Sequence, residues 1–522
     1  MKRMSRILVG VALLLAAAST GTAAPGAEAL VADATVAELQ AMMEDGTLTA
    51  EAVAAASLDR IERLDVELAA VIAVNPDALD VARALDAERR QGQVRGPLHG
   101  IPVLLKDNIE SLDPLPTTAG SIALLGNVTG RDSGVAERLR AAGAVILGKT
   151  NLSEWANFRS ERSSSGWSAV GGQTRNPYEP DRSPCGSSSG SGVAVAAGYV
   201  PIAVGTETNG SVVCPATANG VVGIKPTVGL VSRFGIVPIS HTQDTAGPMA
   251  RTVTDAVVLL EVMIGADERD PATGIAASAA SWRLRDHLTE DGLEDARIGV
   301  LRSHAGFHSE VDALLERAIA DLERAGATVV DNLELEGPDG LGEAAYDVLL
   351  YEFKHDLNAY LAGLPTVQRL PARTLEELIE FNRTHATVEM PYFGQEIFVK
   401  AQEKGPLTDE AYAEALELTR DGSADAIDAL IAEHELDALL APTGSPAWTI
   451  DLVNGDHFLG GSSSFPARAG YPNITVPMGT VHGLPVGLSF FAGSLAEPRL
   501  IEIAFAYEQV SRRRAAPDLA QR

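Results

Sequence analysis

The 522-residue chain is predicted to be an α/β protein on three grounds. Strand and helix signals alternate between residues 101 and 147. A Ser/Gly-rich stretch at Ser183–Gly192 leads at once into a small-residue helix and an apolar strand, rather than into a linker. Apolar strand signals then return at Ile474–Val476 and Val486–Phe491, where they most simply rejoin the early sheet. Alternation of this kind lays helices over a sheet that contains parallel strands.

Composition narrows the function classes. With 46% hydrophobic and 21% charged residues the chain is not intrinsically disordered, and two cysteines are too few for a disulfide scaffold. Forty-one Lys and Arg against 70 Asp and Glu give a net charge of −29. So acidic a surface repels phosphate backbones and anionic lipid, which argues against nucleic acid and membrane surfaces as partners.

In chain order, Lys2, Arg3 and Arg6 precede an apolar run from Ile7 to Ala18 and then small residues from Ser19. This is the order of a secretory signal peptide, here residues 1–29, with cleavage expected at Ala27-Glu28-Ala29 or within Gly21–Ala24. The run is shorter than the ~20 residues a membrane span needs. No Cys follows it to carry a lipid. The expectation is an exported protein, periplasmic or secreted, without stable membrane association. Export permits a disulfide, but Cys185 and Cys214 read equally as a pair or as two separate buried thiols. Neither has a CxxC or CxxH neighbour, so thiol redox catalysis has no support.

Thr35–Arg60 reads as two helices divided by Gly46, and Asp86–Gln91 ends a third. After Gly96-Pro97-Leu98-His99-Gly100 comes the short buried strand Ile101–Lys106. Asp132-Ser133 can cap a helix over Gly134–Ala142, which Gly143 stops before the strand Ala144–Leu147. Val193–Tyr199 reads as helix, Ile202–Val204 as strand and Gly205–Ser211 as a polar turn. Residues 266–440 turn acidic and helical, as in Leu375–Leu378 or Ala424–Leu440, and a last helix covers Pro498–Arg514. No internal repeat is present.

Gly186-Ser187-Ser188-Ser189-Gly190 matches the G-x-S-x-G nucleophile elbow, which requires a strand just before it. The preceding Asn176–Pro184 holds three prolines and cannot be a central strand. A phosphate-binding loop fails too, because no Gly-Lys-Ser/Thr closes the run. His434-Glu435 lacks the second His of H-E-x-x-H, and Gly306 breaks any helical pairing of His304 with His308. No His lies between Ser183 and Ser211, so a nucleophilic serine there needs another base. Lys106, ending an apolar strand, is the candidate, since desolvation favours its neutral amine.

Three segments together resemble the amidase signature family: Gly100–Asp107, Cys185–Ser191, and Gly205–Ser211 continuing to Gly223–Thr227. The likeness extends through Lys149–Arg159, Ser240–Arg251 and Gly470–Pro477. It implies one large amidase domain over residues 30–522 around a mixed twisted sheet, with 266–440 a variable helical region near the substrate entrance. It implies Ser211 as nucleophile, Ser187 as a bridging serine after a cis Gly186–Ser187 peptide, and Lys106 as the base. The N–H groups of Thr208, Asn209, Gly210 and Ser211 become the expected oxyanion hole. Thr118, Gly120 and Ser121 lie in a family loop near the acyl site and are candidate substrate-binding residues. No cofactor or metal is required. Cys185 stands where many members have Gly, and Asn209 where Gly or Asp is frequent. Cys185 with Ser189, Trp155–Arg159 and Ile239–Pro248 resemble the peptide-amidase branch, which releases ammonia from C-terminal peptide amides. The expected enzyme is a monomeric C–N hydrolase acting on small or peptide amides. Its rivals are an aryl-acylamidase or general amide hydrolase, an amidotransferase-type subunit that feeds ammonia to a charged transfer RNA, and a non-catalytic binding protein.

Overall fold

Short apolar runs bounded by Gly, Pro or Asn form the strands of the computed structural model, which describes residues 30–365 and 370–519. The expected signal peptide, 1–29, lies outside the described residues. In chain order the strands are β1 (Val71–Val74), β2 (Pro102–Lys106), β3 (Val145–Thr150), β4 (Trp167–Ser168), β5 (Gly172–Gln173), β6 (Ile202–Glu207), β7 (Val222–Lys225), β8 (Thr245–Ala250), β9 (Arg297–Leu301), β10 (Thr328–Leu333), β11 (Ala438–Pro442), β12 (Asn473–Val481) and β13 (Leu484–Phe491). Eleven of them make one sheet in the order β1-β3-β2-β6-β8-β7-β12-β13-β11-β9-β10, while β4 and β5 pair separately.

The sheet is mixed. β3, β2 and β6 run parallel, as do β11, β9 and β10, and the strands between them are antiparallel. Every residue of β2, β3, β6, β8 and β11 is buried, which fits their near-continuous apolar sequences and the helices packed over them. The late strands rejoin the early sheet as expected, through the pairing of β12 with β7.

Local signals explain the helix starts. Ser133 accepts the N–H of Ala136 at 3.1 Å and caps Gly134–Ala141. The small-residue helix Ser189–Ala196 begins four residues before its expected start at Val193, inside the Ser/Gly run, and is buried on every side. Its Gly190 lies against the backbone of Ala70 and Asn151, where a Cβ would collide with both carbonyls.

Residues 266–440 are less purely helical than their acidity suggests. The stretch contains β9 and β10, which extend the sheet at one edge. The helix expected over Ala424–Leu440 ends at His434, where Glu435 turns left-handed at φ 52°. The apolar Ala438–Pro442 then enters the sheet between β13 and β9 as β11, because burying that run requires a strand there.

The helices Leu341–Gly363, Leu375–Thr384 and Glu396–Gln402 build an apolar core of their own. Phe353, Leu357, Leu378 and Phe398 pack there against Leu124, Trp155 and Phe158 from the sheet side. Phe353 meets Phe158 edge-to-face with centroids 5.1 Å apart. Among the described residues, no helix is long and apolar enough to cross a membrane.

Candidate active site

Parallel pairing of β2 with β6, Leu105 opposite Val204, brings the ends of both strands together. Lys106 Nζ therefore lies 2.8 Å from Thr206 Oγ1 and 3.2 Å from the Thr206 carbonyl oxygen. It also lies 2.7 Å from Ser187 Oγ. The lysine is fully buried, and desolvation pulls its amine from 10.5 down to about 7 against the opposing pull of Asp244 and Glu207. In its neutral form the amine has two N–H groups, enough for the two Thr206 oxygens, and one lone pair that can accept the Ser187 hydroxyl proton across the same 2.7 Å contact.

Ser187 reaches this position through a sharp turn with left-handed Cys185 (φ 57°) and Gly186 (φ 61°). The Gly186–Ser187 peptide is trans, which corrects the expectation of a cis bond; the two successive positive-φ residues reverse the chain there instead. The backbone N–H of Ser187 donates to Ser211 Oγ at 3.3 Å, and the N–H of Ser188 to the Ser211 carbonyl at 3.3 Å. The two serines thus meet through the Ser187 backbone rather than its hydroxyl. Ser211 is partly exposed, whereas Ser187 and Lys106 are buried.

The turn carrying Ser211 is held at both ends. Glu207, buried at the end of β6, accepts the N–H groups of Val212 at 2.7 Å and Val213 at 3.0 Å. Gly210 adopts φ 80°, a conformation that a side chain would strain. Among the described residues, the N–H groups of Asn209, Gly210 and Ser211 have no protein acceptor. The Asn209 side chain is turned away toward Ser463, whose Oγ donates to it at 2.8 Å. Cys185 and Cys214 form a disulfide with Cα atoms 5.6 Å apart, joining the Ser187 turn to the helix after Ser211. Of the two readings open from sequence, the structure has the pair.

Thr208 Oγ1 donates to Asp244 Oδ1 at 2.5 Å. Asp244 Oδ2 accepts the N–H groups of Ile239 at 2.8 Å and Ser240 at 2.9 Å. Burial raises the Asp244 carboxyl from 3.8 to about 6 despite these donors. This aspartate ties the Ser211 turn to the loop 233–241.

That loop, the ends of β6 and β8, and one face of Leu341–Gly363 enclose a cavity of about 430 Å³. Thr206 and Thr208 line it, Lys106, Ser187 and Ser211 do not, and Asp356, Ala359, Tyr360 and Gly363 form the helical wall. The helical spacing of those four positions points one stripe of the helix inward. Arg131, Arg233 and Arg269 on the rim are each paired, with Glu110, Asp270 and Asp267 respectively.

Thr118, Gly120 and Ser121 are buried and, like Lys106, Ser187 and Ser211, lie outside the residues that line the cavity. Thr118 Oγ1 donates to Asp107, and Ser121 Oγ donates to Glu389 at 2.9 Å. Buried carboxylates require such donors, so in the absence of ligand both hydroxyls serve neighbouring carboxylates. Asp107 is raised to about 6, first by burial, with Lys149 opposing the shift from 3.8 Å away.

Sequence reasoning did not single out Thr206, Asp244 or Lys149, although all three fall inside segments that carry the family resemblance. Asp356 and Tyr360 sit in the helical region, where no motif marks them.

The sequence profile of the amidase family matches residues 52–501. The chain is similar to the native peptide amidase of Stenotrophomonas maltophilia, at 51% identity and a TM-score of 0.88, covering 93% of this chain and 98% of that one. It is 41% identical to a probable amidase of Arabidopsis thaliana, over 98% of this chain and 96% of the relative. It is also 35% identical to a glutamyl-tRNA(Gln) amidotransferase subunit from Symbiobacterium thermophilum, over 92% of this chain and 97% of that relative.

Proposed function

The chain belongs to the amidase family, whose members hydrolyse amides, and on that premise we propose that it is a serine amidase that releases ammonia from the C-terminal amides of peptides. The observation that carries this reading is the fully buried Lys106 amine, 2.7 Å from Ser187 Oγ, with Ser187 in turn contacting the accessible Ser211.

Ser211 Oγ attacks the amide carbonyl. Its proton passes to Ser187, whose own proton passes to neutral Lys106, and the reverse relay delivers a proton to the leaving ammonia. This relay requires the hydroxyls of Ser187 and Ser211 to meet once substrate is bound, replacing the present contact through the Ser187 N–H. The unpartnered N–H groups of Asn209, Gly210 and Ser211, with Thr208 beside them, are the donors for the developing oxyanion. The resulting acyl-enzyme is hydrolysed by water through the same groups.

The peptide-amide substrate rests on the likeness to the Stenotrophomonas enzyme and on a cavity large enough for peptide side chains beside the Ser211 turn. The amidotransferase relative favours a second reading, ammonia supply to charged transfer RNA. A net charge of −29 opposes an RNA partner. The N-terminal leader pattern and the Cys185–Cys214 disulfide support an exported, periplasmic or secreted enzyme, which would act as a monomer without cofactor.

The test is ammonia release from a C-terminally amidated dipeptide, with Ser211→Ala alongside. Serine-dependent release is expected. Cleavage of anilides or simple amides alone would discard the peptide-amide substrate and keep the serine chemistry. No amide cleavage by the purified chain would overturn the reading.

A further inference from the structure

Beside the cavity, two histidines converge on one carboxylate. His241 leaves the loop that follows Ile239, and His355 and Asp356 are successive residues of the helix Leu341–Gly363. Asp356 Oδ2 lies 2.9 Å from His241 Nδ1, and Asp356 Oδ1 lies 2.8 Å from His355 Nδ1. The backbone N–H of His241 also donates to Asp356 Oδ2 at 2.8 Å, fixing the carboxylate between the rings. One donor atom from each of the three side chains lies within 4.8 Å of the other two. Among the described residues, no other group of three His, Cys, Asp or Glu side chains gathers its donor atoms this closely.

We propose that His241, His355 and Asp356 form a binding site for a divalent transition ion of the zinc class, with its remaining position open to solvent. This inference is independent of the amidase reading. Two imidazole nitrogens and a carboxylate oxygen are a borderline donor set suited to zinc, whereas magnesium and calcium prefer oxygen alone. Zinc holds such donors at ~2.0–2.2 Å, so the three must draw together from their present spacing. The imidazoles can do so, because the His241 and His355 side chains are 40% and 58% exposed. The same exposure gives an ion its entry path. Asp356, at 11% exposure and held by the His241 N–H, is the fixed ligand.

The surroundings favour a cation. Glu352 lies one helical turn before Asp356, its Oε1 3.6 Å from His241 Nε2. It is itself fixed by the hydroxyls of Ser240, Thr242 and Tyr412. The facing cation, Arg233, is neutralised by Asp270 at 2.6 Å and donates to the His241 carbonyl. His241 and Asp356 both line the cavity, so a bound ion would bridge the loop 233–241 to the helical wall.

The experiment titrates zinc chloride into the chelator-treated full-length protein by calorimetry, and follows cobalt(II) absorption as a second readout. One zinc per chain is expected. His241→Ala and His355→Ala should each weaken binding at least ~10-fold and abolish the visible cobalt bands of an imidazole-ligated site. His434→Ala, elsewhere on the surface, should bind as the parent does. Saturating zinc should raise the melting temperature of the parent and leave that of His355→Ala unmoved. His355 is exposed, so its replacement leaves the fold intact, and Asp356→Asn provides a second variant that keeps the side-chain shape. No stoichiometric binding, or equal binding by the parent and both histidine variants, would overturn the proposal.

Discussion

The ends of the sheet strands, which reach the cavity at Thr206, and the helical wall across it are built in opposite ways. On the sheet side, Lys106, Thr206, Ser187 and Glu207 are fully or almost fully buried, and each is fixed by a strand end or a tight turn. On the helical side, the exposed His355 and the mostly buried Asp356 are borne by a helix whose opposite face is anchored in its own apolar core, and the exposed His241 faces them from the loop. Reaction chemistry needs desolvated groups in fixed geometry, whereas recognition needs a surface open to ligands. The separation of the two cores lets the wall vary while the reacting groups stay in place.

Breaking the sheet side has the largest effect. Ser211→Ala should lower amide turnover at least ~10³-fold with unchanged melting behaviour, whereas no single substitution on the wall should do so. Lys106→Ala should cost ~10²–10⁴-fold in kcat. The proposed base works only when neutral, so parent activity should rise with pH through an acid limb near 7, and the variant should lose that limb. A near-parental rate or an unchanged limb would reject lysine as the base.

Separating Cys185 from Cys214 by serine substitution opens a cross-link spanning 29 residues and should cost ~3–4 kcal/mol of stability. Equal denaturant midpoints for parent and double variant would contradict this. On the wall, Ala359→Trp fills cavity space and should raise KM for an amidated dipeptide roughly 10-fold, while leaving kcat for a small aliphatic amide nearly unchanged. Equal effects on both substrates would place the cavity outside the peptide path.

The folded Lys106 amine sits at about 7 and the free amine at 10.5, so between those values the unfolded chain binds the extra proton. Stability therefore gains from this group as pH rises from about 7 to 10.5. Lys106→Met should remove that gain, so its melting-temperature advantage over the parent is greatest below pH 7 and shrinks above it. A constant difference across the range would contradict the buried neutral amine.

The α/β class, the strand ending at Lys106, the Ser133 cap and the serine-bearing segments were legible in the sequence, because each rests on contiguous signals: an apolar run, a capping residue, or a Ser/Gly turn of fixed spacing. β9, β10 and β11 were hidden in a stretch whose acidic amphipathic helices dominate its composition, and a five-residue apolar run reads equally as the end of a helix. Thr118 and Ser121 were legible as a motif but not as structure, since only the folded chain brings Asp107 and Glu389 to their hydroxyls.

By itself the sequence determined which groups are on offer for the proposed reaction: a lysine ending an apolar strand, two serines in glycine-rich turns, and no histidine among them. Tertiary structure decided what those groups face. Parallel strand pairing put Thr206 against Lys106, burial lowered that lysine's pKa, Asp244 tied the Ser211 turn to the cavity loop, and a helix brought Asp356 to His241. Proton affinity and metal affinity both depend on neighbours within a few ångströms, and for Lys106 and Asp356 those neighbours lie about a hundred residues away along the chain.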